Sequence, residues 1–151
     1  CGYSGHPRKA CRCSPEQVAR YRGRLSGPLL DRIDLVVEVP VLAHEELTST
    51  APAASSAEVR ARVVLARASQ AERQGMLNAR LDSRAVERYC VPDRAGAGLL
   101  QQAMTRLDLS ARAYHRILRV ARTLADMAGV AQPGVAQVAE AIQYRRSLDG
   151  R

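Results

Sequence analysis

Three thiols and one imidazole crowd into the first thirteen residues: Cys1, Cys11 and Cys13, with His6 between them. Sulfur donors at this density suit zinc, which asks for four ligands in a tetrahedron. A Cys-x-Cys pair carries less weight than Cys-x-x-Cys, so spacing leaves two readings open: a zinc loop, in which His6 could substitute for a missing sulfur, or three reduced thiols on an arm. Cys90 stands apart and reads as a small buried apolar residue. The second chemical resource is arginine. Net charge is +8 over 151 residues, and Lys9 is the only lysine. Guanidinium groups make planar, bidentate contacts to phosphate, so the excess favours nucleic acid or nucleotide as partner. Arg116, Arg119 and Arg122 share one helix face, and Arg8, Lys9 and Arg12 lie in the Cys loop. Both groups could contact phosphates; the plain alternative is that they are solvated. With five Tyr and neither Phe nor Trp, no aromatics interleave with them to stack bases.

One piece of chemistry is missing. No G-x-x-x-x-G-K-[ST] loop occurs, and Lys9 is not in such a loop. Without a phosphate cradle and a magnesium-holding carboxylate motif, the chain by itself is expected not to cleave ATP. No apolar run reaches the roughly 18 residues that span a membrane, and no secretory pattern is present. A disulfide framework is therefore not expected, and a reducing cytoplasm is the expected compartment. The chain opens at Cys1 without Met, which reads as a piece of a longer protein.

These residues need elements to hold them. After the Cys loop, Ser14-Pro-Glu-Gln17 reads as a capping box opening a short helix to about Arg22, which Ser26-Gly27-Pro28 breaks. Leu35 to Val39 is β-branched, is bounded by Pro40 and reads as the one strand of the chain. A lone strand cannot satisfy its own backbone, so its partners are expected outside this sequence. Residues 43–55, rich in Ala, Ser, Thr and Pro, read as a linker. Beyond it the pattern is helical. Ser55-x-x-Glu58 opens a helix to about Gln74, and another covers Arg84 to Cys90. Pro92-Asp93 starts a third, with Leu99, Leu100, Ala103, Met104 and Leu107 on one side. Gly96 and Gly98 weaken its first turns by about 1 kcal/mol each. Ser110 to Ala128 carries a buried stripe of Tyr114, Ile117, Leu118, Ala121, Leu124, Ala125 and Ala128. Arg112, His115, Arg119, Arg122 and Asp126 fall on its polar face. Gly129 ends that helix. A last helix follows Pro133-Gly134, with Val135, Val138, Ala139 and Ile142 inward.

Two stretches go further than composition. One is Ser26-Gly-Pro-Leu-Leu-Asp-Arg-Ile-Asp34 with the strand after it. The other is Leu109-Ser-Ala-Arg-Ala-Tyr-His-Arg-Ile-Leu118, with Ala139-Glu-Ala-Ile-Gln-Tyr-Arg145 downstream. Together with the opening CGYSGHPRKACRCSPEQ they resemble the magnesium-chelatase-like AAA+ ATPases, in their competence-linked bacterial branch. The resemblance covers essentially the whole chain. It implies a mainly α architecture: a C-terminal helical lid bundle over residues 56–151. Residues 1–42 would be the remnant of the α/β ATPase core, its last strand included. It implies that Walker A and Walker B lie upstream, and that ATP and magnesium serve the full-length protein. Arg32 resembles the arginine finger that reaches into a neighbouring subunit; the competing reading is a salt bridge with Asp31 or Asp34. Arg112 resembles the sensor-2 arginine; the competing reading is a solvated face. In the family a further Cys commonly precedes the position of Cys1, which would complete a zinc loop. The implied partners are the upstream core, further copies in a ring (a hexamer), and DNA, with helicase or branch-migration activity in natural transformation. Magnesium insertion into porphyrin is the literal reading of the family name, and no residue here marks a tetrapyrrole site.

Overall fold

A computed structural model describes residues 1–30, 32–37, 39–42, 48 and 53–149. The chain divides into two compact units, Cys1–Ile33 with Val37–Pro52, and Asp34–Val36 with Ala53–Arg151. Asp34–Val36 group with the helical unit. Most of the expected linker, residues 43–47 and 49–52, lies outside the described residues.

In the first unit, α1 spans Pro15–Arg22. Ser14 caps it: its hydroxyl accepts from Gln17 N–H at 3.3 Å, while the Gln17 amide oxygen accepts from Ser14 N–H at 3.0 Å. Ser26-Gly27-Pro28 does more than break the chain. It starts the four-residue α2, Gly27–Leu30, with the Ser26 hydroxyl accepting from Leu29 N–H at 3.3 Å. Ser at the cap and Pro in the first turn favour helix starts for the same reasons in both places. None of the described residues of this unit is buried.

The expected strand does not form among the described residues; Glu38 lies outside them. Leu35, Val37 and Val39 remain exposed. A strand exists only where a neighbouring backbone completes its ladder. Here Val36 N–H finds the carbonyl of Tyr144, at 3.1 Å.

The second unit is the expected helical bundle. It comprises α3 (Ser56–Gln74), a 3-10 turn (Asn78–Arg80), α4 (Ser83–Tyr89), α5 (Arg94–Arg106), α6 (Ala111–Met127) and α7 (Val135–Asp149). Side-chain caps from Ser55, Asp82, Asp93 and Ser110 satisfy the first free N–H groups of α3 to α6. Helix α6 is the hub: it packs against α3, α4, α7 and the 3-10 turn, while α5 packs on α7. The core is aliphatic, built from Leu81, Val86, Leu100, Ile117, Leu118, Ala121, Val138, Ala141 and Ile142. Cys90 is fully buried among them, as expected for an apolar thiol. Its burial pushes the thiol up to about 11.

Three expectations change on contact with this packing. Val135 is 48% exposed rather than inward, and α7 buries Ala141 instead. Gly96 is not a weak point: a Cβ there would meet the Gly134 backbone at 3.2 Å, so its absence lets α5 approach the turn into α7. Gly98 has open space around it and keeps its helix penalty.

The third change is the polar face of α6. Arg122 and Asp126 are buried, not solvated. Arg73 of α3 forks onto the Asp126 carboxylate with bonds of 2.6 and 3.0 Å. Arg122 Nε donates to Asp126 Oδ1 at 3.0 Å, and Asn78 Nδ2 donates to Oδ2 at 2.9 Å. The other two Arg122 nitrogens reach the carbonyls of Ala131 and Val130, at 2.6 and 2.8 Å. One carboxylate thereby joins α3, the 3-10 turn, α6 and the turn before α7. Burial alone would push the Asp126 carboxyl up. Hydrogen bonds from Arg73 and Asn78, with the charges of Arg122 and Arg73, outweigh it and hold the group below its usual range.

Candidate functional site

The four arginines of α6 separate into two kinds. Arg116 pairs with Asp34. Arg119 donates to the Leu81 carbonyl at 2.9 Å, and Arg122 is locked into the Asp126 network. The three residues read as phosphate contacts are therefore brought onto one face, but as internal ties of the bundle. Arg122 is buried. The periodicity put these side chains on a polar face without showing that α3 and the 3-10 turn cover part of it.

Arg112 is the contrasting case. It is exposed in the first turn of α6, and among the described residues its guanidinium has no hydrogen bond or ion pair. Ser110 caps that turn by accepting from Ala113 N–H at 3.2 Å. A 17-residue helix carries partial positive charge at this end. An unpaired guanidinium beside it is suited to a phosphate group. The solvated-face reading and the phosphate reading share this geometry; what separates Arg112 from its neighbours is that nothing among the described residues uses it.

Arg32 belongs to the first unit and is also exposed. Its Nη1 donates to the Pro28 carbonyl at 3.1 Å, across the short α2. Asp34, one of its two rival partners, is taken by Arg116. Asp31, the other, lies outside the described residues.

The thiols converge. Cys1, Cys11 and Cys13 place their sulfurs within 4.8 Å of one another, with Cys1 and Cys11 3.5 Å apart. His6 does not join them. Its Nδ1 accepts the backbone N–H groups of Arg8 and Lys9, at 3.0 and 3.1 Å, and so folds the loop. Gly2 and Gly5 are both at positive φ, and Gly5 lies in the turn that His6 N–H closes onto the Tyr3 carbonyl at 3.1 Å. Lys9 sits 4.9 Å over the Tyr3 ring. Arg8, Lys9 and Arg12 are exposed on this loop.

Residues 53–145 match the family described as magnesium chelatase, subunit ChlI C-terminal. The chain belongs to that family. Residues 1–47 match its companion, magnesium chelatase, subunit ChlI. Among curated relatives, the competence protein ComM of Haemophilus influenzae is 47% identical over 135 residues, covering 89% of this chain and 26% of that protein. An uncharacterised protein, YifB, of Salmonella typhimurium is 44% identical over 89% of this chain and 27% of its own length. A Mycobacterium bovis relative, Mb2921c, also uncharacterised, is 40% identical over 91% of this chain and 28% of its own. The chain thus spans about a quarter of the length of the curated relatives it matches. The magnesium-chelatase-like family is an AAA+ family, whose members as a class work as oligomers with ATP and magnesium. No helix among the described residues is long and apolar enough to cross a membrane.

Proposed function

We propose that this chain is the lid-bearing part of a ring-forming AAA+ ATPase and completes ATP sites assembled by the whole protein. The observation that carries the reading is Arg112: exposed, unpaired among the described residues, and held at the start of the hub helix α6. Arg112 lies in the capped first turn of a 17-residue helix, which presents its guanidinium from a defined position. Arg112 would bind phosphate oxygens of ATP as the sensor-2 arginine. Arg32 would act from a neighbouring subunit, placing positive charge against the γ-phosphoryl group as its negative charge redistributes. ATP supplies the transferable phosphoryl group. The phosphate loop and the magnesium ligands would come from other parts of the ATPase.

DNA is the proposed substrate of the intact, cytoplasmic ring, hexameric as its relatives in the AAA+ class commonly are. The net charge of +8 and a curated relative named as a competence protein support this. The exposed loop cations Arg8, Lys9 and Arg12 are better placed for DNA than the committed arginines of α6. The three-thiol cluster of the same chain is read as a structural zinc loop.

The test is Arg112→Ala in the full-length ATPase. Losing a charge-assisted contact worth about 1.5–3 kcal/mol should weaken ATP binding or turnover about 10- to 100-fold. Arg112→Lys should recover part of the loss. Unchanged ATP affinity and turnover in Arg112→Ala would reject the assignment.

A further inference from the structure

In the first unit, residues 1–33 hold two short helices and a compact loop, and within this chain none of their described side chains is buried. The three sulfurs at the head of the unit have the spacing of metal ligands. Zinc–sulfur bonds of about 2.3 Å at tetrahedral angles put sulfurs about 3.8 Å apart. Here one pair is at 3.5 Å and all three lie within 4.8 Å. A disulfide, at about 2.05 Å, would use two of the sulfurs and strand the third.

We propose that Cys1, Cys11 and Cys13 bind one zinc ion through their three sulfurs, and that this ion fixes the loop and the start of α1, and through them the segment that leads to Arg32. The proposal deepens the zinc-loop reading and rests on it. Its new content is regulatory: the segment ending in Arg32 is ordered only when metal is bound. On binding, each thiol sulfur bonds to zinc as its proton leaves to solvent, and no electron moves. Two positive charges on zinc against three thiolates leave one negative charge. Arg8, Lys9 and Arg12, all on the same loop, offset it. Three protein sulfurs leave the fourth tetrahedral position to another donor; His6 is committed to the backbone of Arg8 and Lys9 through Nδ1. Cys13 directly precedes Ser14, the cap of α1, so fixing its sulfur fixes where that helix begins. From there α1 and α2 lead in sequence to Arg32.

The 151-residue chain, stripped of metal in reductant, carries the test. Zinc titration against a chromophoric chelator should give one ion per chain. Cobalt should give a thiolate charge-transfer band of the intensity expected for three sulfurs. Cys11→Ser and Cys13→Ser should each weaken zinc binding more than about 100-fold, beyond the 10- to 100-fold that loss of an outer-shell partner costs. Their far-UV circular dichroism should still report a folded bundle, because both residues lie in the other unit. Trypsin should cut after Arg12, Arg20, Arg22, Arg24 and Arg32 in the metal-free chain, and at least about 10-fold more slowly with zinc, a ratio that follows the open population. No zinc uptake, or uptake unchanged in the two variants, would overturn the site. Normal uptake with unchanged cleavage would leave the site standing and overturn the ordering role.

Discussion

Replacing Asp126 with Ala removes the acceptor on which three donor side chains converge. The Arg122 side chain is 4% exposed and that of Asp126 1%, so neither group can turn to water. Taking one partner out of such a buried pair costs about 3–5 kcal/mol, most of it the penalty of an uncompensated guanidinium. Arg73 is a lesser contributor: its side chain is 25% exposed and can reach solvent once released. The expected loss for Asp126→Ala is therefore about 3–5 kcal/mol, against a total of about 5–15 kcal/mol for a typical domain. For Arg73→Ala it is smaller, about 1–2 kcal/mol, because Arg122 and Asn78 still hold the carboxylate. Urea unfolding followed by far-UV circular dichroism measures both through the midpoint and slope. The same carboxylate sets an acid limb. Its folded pKa lies below the ordinary value of 3.8, so its contribution is complete above that pH and is lost as pH falls through the lower folded value. Asp126→Ala should lack that component of acid sensitivity. A loss below about 1 kcal/mol at neutral pH would refute the view that a polar junction ties α3 and the pre-α7 turn to α6.

Gly98→Ala should stabilise the bundle by about 0.5–1 kcal/mol, since a Cβ meets nothing within 4 Å and the helix gains propensity; Gly96→Ala should destabilise it, because the added carbon meets the Gly134 backbone at 3.2 Å. Both are read from thermal melting. In the reduced, metal-free chain a thiol reagent should label Cys1, Cys11 and Cys13 quickly, while Cys90, fully buried with its thiol pushed up to about 11, reacts only on unfolding. Fast labelling of all four in the native chain would contradict the placement of Cys90 in the core.

Local signals were readable wherever the physics is local. The capping boxes at Ser14 with Gln17 and Ser55 with Glu58 form as their spacing implies. The stripe of Ile117, Leu118, Ala121 and Ala125 is buried as its period requires, while Ala128, expected to extend it, is exposed at the helix end. What stayed hidden depends on partners distant in sequence. Asp126 and Arg122 looked solvated because Arg73 lies 53 residues before the carboxylate it grips. Gly96 looked like a flaw because the turn at Gly134 that needs the space comes much later. Leu35 to Val39 carried the composition of a strand, but composition cannot provide a ladder. For the candidate site, the types and numbers of Arg32, Arg112 and the three cysteines were legible. The commitment of Arg116, Arg119 and Arg122 to internal partners was not, nor was the diversion of His6 to the backbone.

The central claim is that this chain completes an ATP site in a neighbouring subunit. Mixing two full-length variants tests it most directly. One carries Arg32→Ala; the other keeps Arg32 but has its own phosphate-binding loop disabled. Each alone should be inactive, and Arg32→Ala should still bind ATP. If Arg32 acts across subunits, mixed rings contain intact sites and ATP hydrolysis should return. Wild-type turnover by Arg32→Ala alone, or no recovery in mixed rings shown to co-assemble, would contradict the account.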